Sequence, residues 1–189
     1  MENKKITAVI LAGGKSSRMK RDKALLDFPE GKLIERIYGQ LSPLFDEIII
    51  SVSKKNAKLF QNYKIVIDDI EDQGPLRGIL SGLKASSNEA VFFIATDIPD
   101  VNLELLQEII VFSKDFEIIV PKTSEKHYEP LFAIYNKNVI QKIEKLLNSG
   151  IRKIIELYPL CNTKFVITEN KNKLTNINTP EEYEQFLRT

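Results

Sequence analysis

Short apolar runs alternate along the chain with stretches whose apolar residues recur every three to four positions. Ile6-Thr7-Ala8-Val9-Ile10-Leu11 is rich in β-branched residues and bounded by polar ones, so it predicts a buried strand. Leu33, Ile34, Ile37, Leu41 and Leu44 follow at helical spacing and predict a helix over 33–44. The rhythm continues with strands over 47–52, 65–67 and 90–95, and with helices over 54–62, 76–85 and 103–112. Such alternation needs crossover connections, which implies an α/β fold with a mostly parallel sheet covered by helices on both faces. Beyond 112 the pattern is mixed: strands over 117–120, 131–135 and 163–168, and an amphipathic helix over 139–147. Thr179-Pro180-Glu181-Glu182 marks a last helix start, with Thr as N-cap, Pro in the first turn and acids against the dipole. No repeat or long linker breaks the chain, so 1–189 is expected to form one domain.

Composition narrows the partners. The 189 residues are 43% hydrophobic and 28% charged, as expected of a soluble globular protein. The 27 basic and 26 acidic residues leave a net charge of +1, which gives no general attraction to nucleic acid or anionic membrane. Any charged ligand must then be held by a local cluster. The single cysteine, Cys161, excludes an internal disulfide and fits a reducing cytoplasm, and packing is its expected role. The first apolar run is too short to span a bilayer, and Gly13-Gly14-Lys15 cuts it below the length of a signal peptide's apolar region. The chain is therefore expected to be cytoplasmic and untruncated.

The local cluster follows the first strand, in Leu11-Ala12-Gly13-Gly14-Lys15-Ser16-Ser17-Arg18-Met19-Lys20-Arg21-Asp22-Lys23. Adjacent glycines let the backbone approach a ligand and aim its N–H groups at it, while Lys15, Arg18, Lys20, Arg21 and Lys23 can neutralise phosphate oxygens. Two familiar phosphate loops are excluded. The P-loop requires glycine where Val9 stands, and the dinucleotide pattern G-x-G-x-x-G fails because Ala12 precedes Gly13 and no later glycine is correctly spaced. A tight β-α turn with an incidental basic rim remains the plainer reading, and composition alone does not name a reaction.

Taken whole, Leu11-Ala12-Gly13-Gly14-x-Ser16-x-Arg18-Met19-x-x-Asp22-Lys23 closely resembles the signature of nucleotidyltransferases with a Rossmann-like sheet. Its Gly-Gly form is most similar to the molybdenum cofactor guanylyltransferase (MobA) family. The resemblance implies a three-layer α/β/α fold of the nucleotide-diphospho-sugar transferase type. One departure is Lys20, where the family commonly has glycine.

Nucleotidyl transfer needs a divalent cation, and Mg²⁺ takes one or two carboxylates together with phosphate oxygens and water. Asp97 follows the buried strand Phe92-Phe93-Ile94-Ala95 and precedes Pro99, a position where open α/β sheets place ligands. A turn or N-cap role is its alternative. The resemblance implies that Asp97 binds Mg²⁺, with Thr96 in place of the family's usual Cys. Asp68 or Asp69, before Gly74-Pro75-Leu76-x-Gly78, matches a family Asp at the nucleotide; Glu71 and Asp72 also allow a solvated acidic loop. Ser51 matches a position where relatives carry a nucleotide-contacting Asn.

On the acceptor side, His127-Tyr128-Glu129-Pro130-Leu131 resembles a segment entering a strand beside the acceptor pocket, though a single loop histidine is commonly a surface residue. Arg152, in Gly150-Ile151-Arg152, matches a family Gly-x-Arg and is either an acceptor-phosphate ligand or a solvated charge. Asn176 and Asn178 match the closing Asn-x-Asn-Thr-Pro-Glu, where a mainly structural role with an acceptor contact is expected.

The implied reaction is GMP transfer from Mg·GTP to molybdenum-molybdopterin, giving the guanine dinucleotide cofactor and pyrophosphate. The implied catalytic residues are Arg18, Lys23 and Asp97. The implied nucleotide site comprises Leu11, Ala12, Gly13, Gly14, Lys23, Ser51, Asp68, Gly74, Pro75, Leu76 and Asp97. Neither nucleic acid nor membrane is an expected partner; transient contact with other cofactor-biosynthesis proteins or acceptor enzymes is compatible with such a role. The competing readings are a sister enzyme using CTP or a sugar-phosphate acceptor, and a non-catalytic nucleotide-binding protein.

Overall fold

Apolar runs that alternate between two faces need cover on both, and the chain supplies it in three layers. The computed structural model describes residues 6–13, 23–68, 74–124, 127–168 and 174–188. The first half runs β1 (Ile6–Leu11), a hairpin of β2 (Asp27–Phe28) and β3 (Gly31–Lys32), α1 (Leu33–Leu41), β4 (Glu47–Ser53), β5 (Ile65–Asp68) and α2 (Pro75–Ala85). The second runs β6 (Ala90–Ala95), α3 (Leu103–Ile110), β7 (Ile118–Ser124), β8 (His127–Tyr128), β9 (Phe132–Asn136), α4 (Ile140–Asn148), β10 (Thr163–Ile167) and α5 (Pro180–Phe186).

The main sheet has the order β10-β7-β9-β6-β1-β4-β5, with β8 beside β7. β1 runs parallel to β4 and β6, β4 to β5, and β7 to β10. Only β9 in that order is reversed, antiparallel to β6 and β7. The carboxyl ends of β1, β4, β5 and β6 therefore share one rim, and β9 presents its amino end there.

Side chains on the central strands divide by parity, as the two-residue period of a strand requires. Ala8 and Ile10 of β1, with Phe92 and Ile94 of β6, pack with Leu33, Ile37 and Leu41 of α1 and with Leu105 and Ile109 of α3. Val9, Val91 and Phe93 pack on the other face with Leu76, Ile79 and Leu83 of α2 and Ile143 of α4. All six residues of β6 are buried, which is why it reads as a continuous apolar run rather than an alternation.

The predicted strands are all present, but several boundaries differ. The helix expected over 33–44 stops at Leu41 because Pro43 cannot continue it, and Leu44 is 47% exposed. The helix expected over 54–62 contracts to the 3₁₀ turn Ala57–Phe60. The hairpin β2–β3, strand β8 and the 3₁₀ segment Ile154–Leu160 were not predicted; each is too short or too irregular to show a period. Among the described residues no helix is long and apolar enough to cross a membrane.

Candidate active site

The carboxyl rim gathers most of the residues singled out in the sequence. β1 ends between its neighbours: the Ala12 N–H donates to the Ser51 carbonyl at 2.8 Å, and the Thr96 N–H donates to the Leu11 carbonyl at 3.3 Å. These bonds carry the chain out so that Ala12 is buried and Gly13 is exposed at the rim. Ser51 has a buried side chain that lies toward α2: a Cβ on Gly78 would stand 3.9 Å from Ser51 Oγ and 3.1 Å from Leu11 Cδ2. Ser51 thus supports the loop through its carbonyl, with its hydroxyl turned into the packing. Gly14, Arg18 and Asp69 lie outside the described residues.

The amino end of α2 opens on the same rim. Gly74 has φ 70° and ψ −179°, a conformation essentially restricted to glycine, and Pro75 then takes the first helical turn. Leu76 is buried beneath them. Arg152 arrives from the far half of the chain: its carbonyl oxygen and Cβ would lie 3.7 and 3.8 Å from a Cβ on Gly74. Asp68, at the end of β5, has its carboxylate 3.6 Å from Arg77 Nε in the first turns of α2. That pairing draws Asp68 toward the helix start.

Asp97 sits two residues beyond β6 in a half-buried turn. Burial pushes its carboxyl above the usual range, and the Lys23 ammonium draws it part of the way back. Lys23 Nζ donates to Asn178 Oδ1 at 2.9 Å. The neighbouring Ile177 N–H donates to the Asp97 carbonyl at 2.7 Å. Ile177 is 1% exposed, and burial of such a side chain contributes about 1.5–3 kcal/mol, enough to seat this segment against the rim. Lys23, Asp97 and Asn178 therefore form one local group built from three distant stretches of chain.

Glu129 joins them through the sheet register. β6 and β9 pair Ile94 with Phe132, and the Ala95 N–H donates to the Leu131 carbonyl at 3.0 Å. Both chains then turn away from the ladder, the Ile98 N–H donating to the Ala95 carbonyl at 3.2 Å, and the turns leave Glu129 within reach of the Asp97 charge. The Glu129 N–H is fixed on the Pro121 carbonyl at 2.9 Å, and its own carbonyl accepts from the Phe132 N–H at 3.1 Å. Burial first, and then the Asp97 charge, push the Glu129 carboxyl upward, while His127 opposes them. His127 itself is exposed. Two neighbouring carboxylates repel, so a cation near both would be favoured.

The donor set suits a hard divalent ion. Two carboxylates can hold Mg²⁺ while leaving positions for phosphate oxygens and water. Among the described residues no group of three or more His, Cys, Asp or Glu stands together. The residues expected on the acceptor side thus separate. Glu129 lies within reach of the Asp97 charge, Asn178 holds Lys23, Arg152 lies at the start of α2, and Asn176 is exposed. Sequence reasoning missed Ile177, whose isolated apolar position between two asparagines was the available signal. A separate open cavity of about 340 Å³, lined by Glu89, Ser113, Lys114 and Asn136 among others, lies at the opposite rim and contains none of these residues.

A mostly parallel sheet that collects a glycine turn, a helix amino end, a lysine and neighbouring carboxylates on its carboxyl rim defines an α/β nucleotidyltransferase. The family model described as the MobA-like NTP transferase domain matches residues 8–163, and the chain belongs to that family. It is 36% identical over 182 residues to the molybdenum cofactor guanylyltransferase of Vibrio parahaemolyticus, covering 94% of this chain and 93% of that protein. With the molybdenum cofactor guanylyltransferase of Vibrio campbellii it shares 37% identity over 183 residues, covering 94% and 93%. The fold also matches the crystal structure of molybdopterin-guanine dinucleotide biosynthesis protein A from Archaeoglobus fulgidus, with a TM-score of 0.83, 24% identity and coverage of 96% and 97%.

Proposed function

We propose that this chain transfers GMP from GTP to molybdenum-bound molybdopterin, releasing pyrophosphate. The observation that carries the reading is the convergence of Lys23, Asp97 and Glu129 on the rim that also holds Gly13 and the amino end of α2. The names of the two Vibrio relatives, each matched over most of its length, support guanylyl transfer within this family.

The chemistry follows from charge. A terminal phosphate of the acceptor is already ionised at neutral pH, so its oxygen can attack the α-phosphorus of GTP without a strong general base. A new P–O bond forms there as the bond to the bridging α–β oxygen breaks, and that oxygen leaves with pyrophosphate. Lys23 offsets phosphate charge, and the Gly13 backbone with the α2 amino end orients the chain of phosphates. Arg18 and Gly14 complete this cradle in the proposed reading. Asp97 and Glu129 would hold Mg²⁺, which when bound supplies further neutralisation of the triphosphate and the leaving group. In this reading Arg152 and Asn176 would contact the acceptor. We assign the activity to the cytoplasm, in transient contact with proteins that supply the acceptor or receive the product.

A nucleotide competition series with purified molybdenum-molybdopterin tests the proposal. Pyrophosphate release should require both GTP and acceptor. Preference for CTP or UTP would overturn the guanylyl reading, and release without acceptor would overturn the transfer itself.

A further inference from the structure

The hydrogen bond from Lys23 Nζ to Asn178 Oδ1 joins a residue next to the glycine-rich loop to one just before the last helix, across a sequence separation of 155. A lysine has a long flexible stem, so fixing its ammonium against phosphates requires something that holds it beforehand. Asn178 is itself immobilised on both sides. Its N–H and that of Thr179 donate to the Glu182 carboxylate, and Thr179 Oγ1 accepts from the Glu182 N–H at 3.2 Å, closing a capping box at the start of α5. On the other side Ile177 is buried and its N–H is bonded to the Asp97 carbonyl. Below, Phe28 of the hairpin packs on Tyr183 and Phe186 of α5, at ring distances of 5.6 and 5.8 Å, which seats the helix against the hairpin.

We propose that Asn178 is a positioning residue for Lys23: its carboxamide oxygen presets the ammonium for the nucleotide phosphates and thereby makes nucleotide affinity depend on the segment 176–178. This rests on the reading of Lys23 as a phosphate ligand. The choice of an amide has a physical reason. A neutral oxygen fixes the ammonium without adding a second negative charge to that of Asp97, whereas a carboxylate would hold it more strongly and offset more of its charge.

The expected effects separate positioning from mere space-filling. Asp has the shape of Asn, so if Asn178 only fills space, N178D is milder than N178A. If it positions Lys23, N178A weakens equilibrium binding of Mg·GTP by about tenfold, the size of one charge-assisted hydrogen bond, and N178D weakens it further. A double-mutant cycle with Lys23→Ala completes the test. Loss of the N178A effect in the K23A background supports the proposal, as does N178D binding worse than N178A. An N178A effect that persists undiminished beside K23A overturns it, since Asn178 would then act on the ligand directly. Unchanged GTP affinity in N178A also overturns it. Should K23A alone leave GTP affinity unchanged, the phosphate role of Lys23 fails instead, a result distinguishable from failure of the link. Thermal melts of each variant, expected to lie near wild type, confirm that the fold is retained.

Discussion

Glu129 lies within reach of the Asp97 charge, each residue three positions past Ile94 and Phe132, the last pair of β6 and β9. Burial raises the proton affinity of both, the Asp97 charge raises that of Glu129 further, and a divalent cation would relieve them. Glu129→Gln should weaken Mn²⁺ binding to the protein–GTP complex by about tenfold or more, read by electron paramagnetic resonance with Mn²⁺ in place of Mg²⁺. Because both carboxyls are held above the ordinary range, cation affinity should begin to fall at a higher pH than simple carboxylates would give. Unchanged affinity in the variant would remove Glu129 from the cation site.

Burial makes the ionised carboxylate of Asp97 costly to the fold. Its folded-state affinity for a proton is raised, so the ionised form opposes folding above that raised value and the penalty vanishes below the ordinary carboxyl range. Asp97→Asn should therefore melt at or above the wild-type temperature at pH 7 without metal, while losing Mn²⁺ binding and transfer. The difference in melting temperature should close as the pH approaches 4. A variant that melts well below wild type at pH 7 contradicts this account.

Glu47 behaves in the opposite sense at the other rim. Burial opposes its ionisation, but Lys64, Thr7 and both the N–H and hydroxyl of Ser87 donate to it and together hold its carboxyl down to about 2. The stability it contributes is complete above the ordinary carboxyl range and lost as the pH falls toward 2. Glu47→Gln should cost about 1–3 kcal/mol at pH 7 by urea denaturation, with little difference from wild type near pH 2.

Two glycines should respond for different reasons. Gly74→Ala meets only ordinary contacts, so its cost of about 1–3 kcal/mol comes from the backbone conformation, and it should also weaken GTP binding by shifting the start of α2. Gly82→Ala would set a Cβ 2.6 Å from Phe93 Cε1 and 3.0 Å from Val9 Cγ1, so overpacking against the sheet should cost about 1–3 kcal/mol with GTP affinity little changed. Urea denaturation beside a GTP titration separates the two.

Much of this architecture was legible in the sequence, for a physical reason. Strands buried on both faces appear as apolar runs, and β1 and β6 begin and end where those runs do. Asp97 was legible because an acid directly after such a run must lie at a strand's carboxyl end. The hairpin β2–β3, two residues on each side, is held by tertiary contacts between Phe28 and α5 that leave no local period. The partnership of Asp97 with Glu129 depends on β9 being reversed, and apolar runs do not reveal direction. The bond between Lys23 and Asn178 needed the whole fold, since neither residue's surroundings in the chain point to the other.

The clasp at Ile177 and Asn178 also sets an order of events during synthesis. Every other residue assigned to the nucleotide site precedes these two in the chain, and translation proceeds from the amino end. A nascent polypeptide can therefore build its sheet before Lys23 has the partner that the proposed link assigns to it.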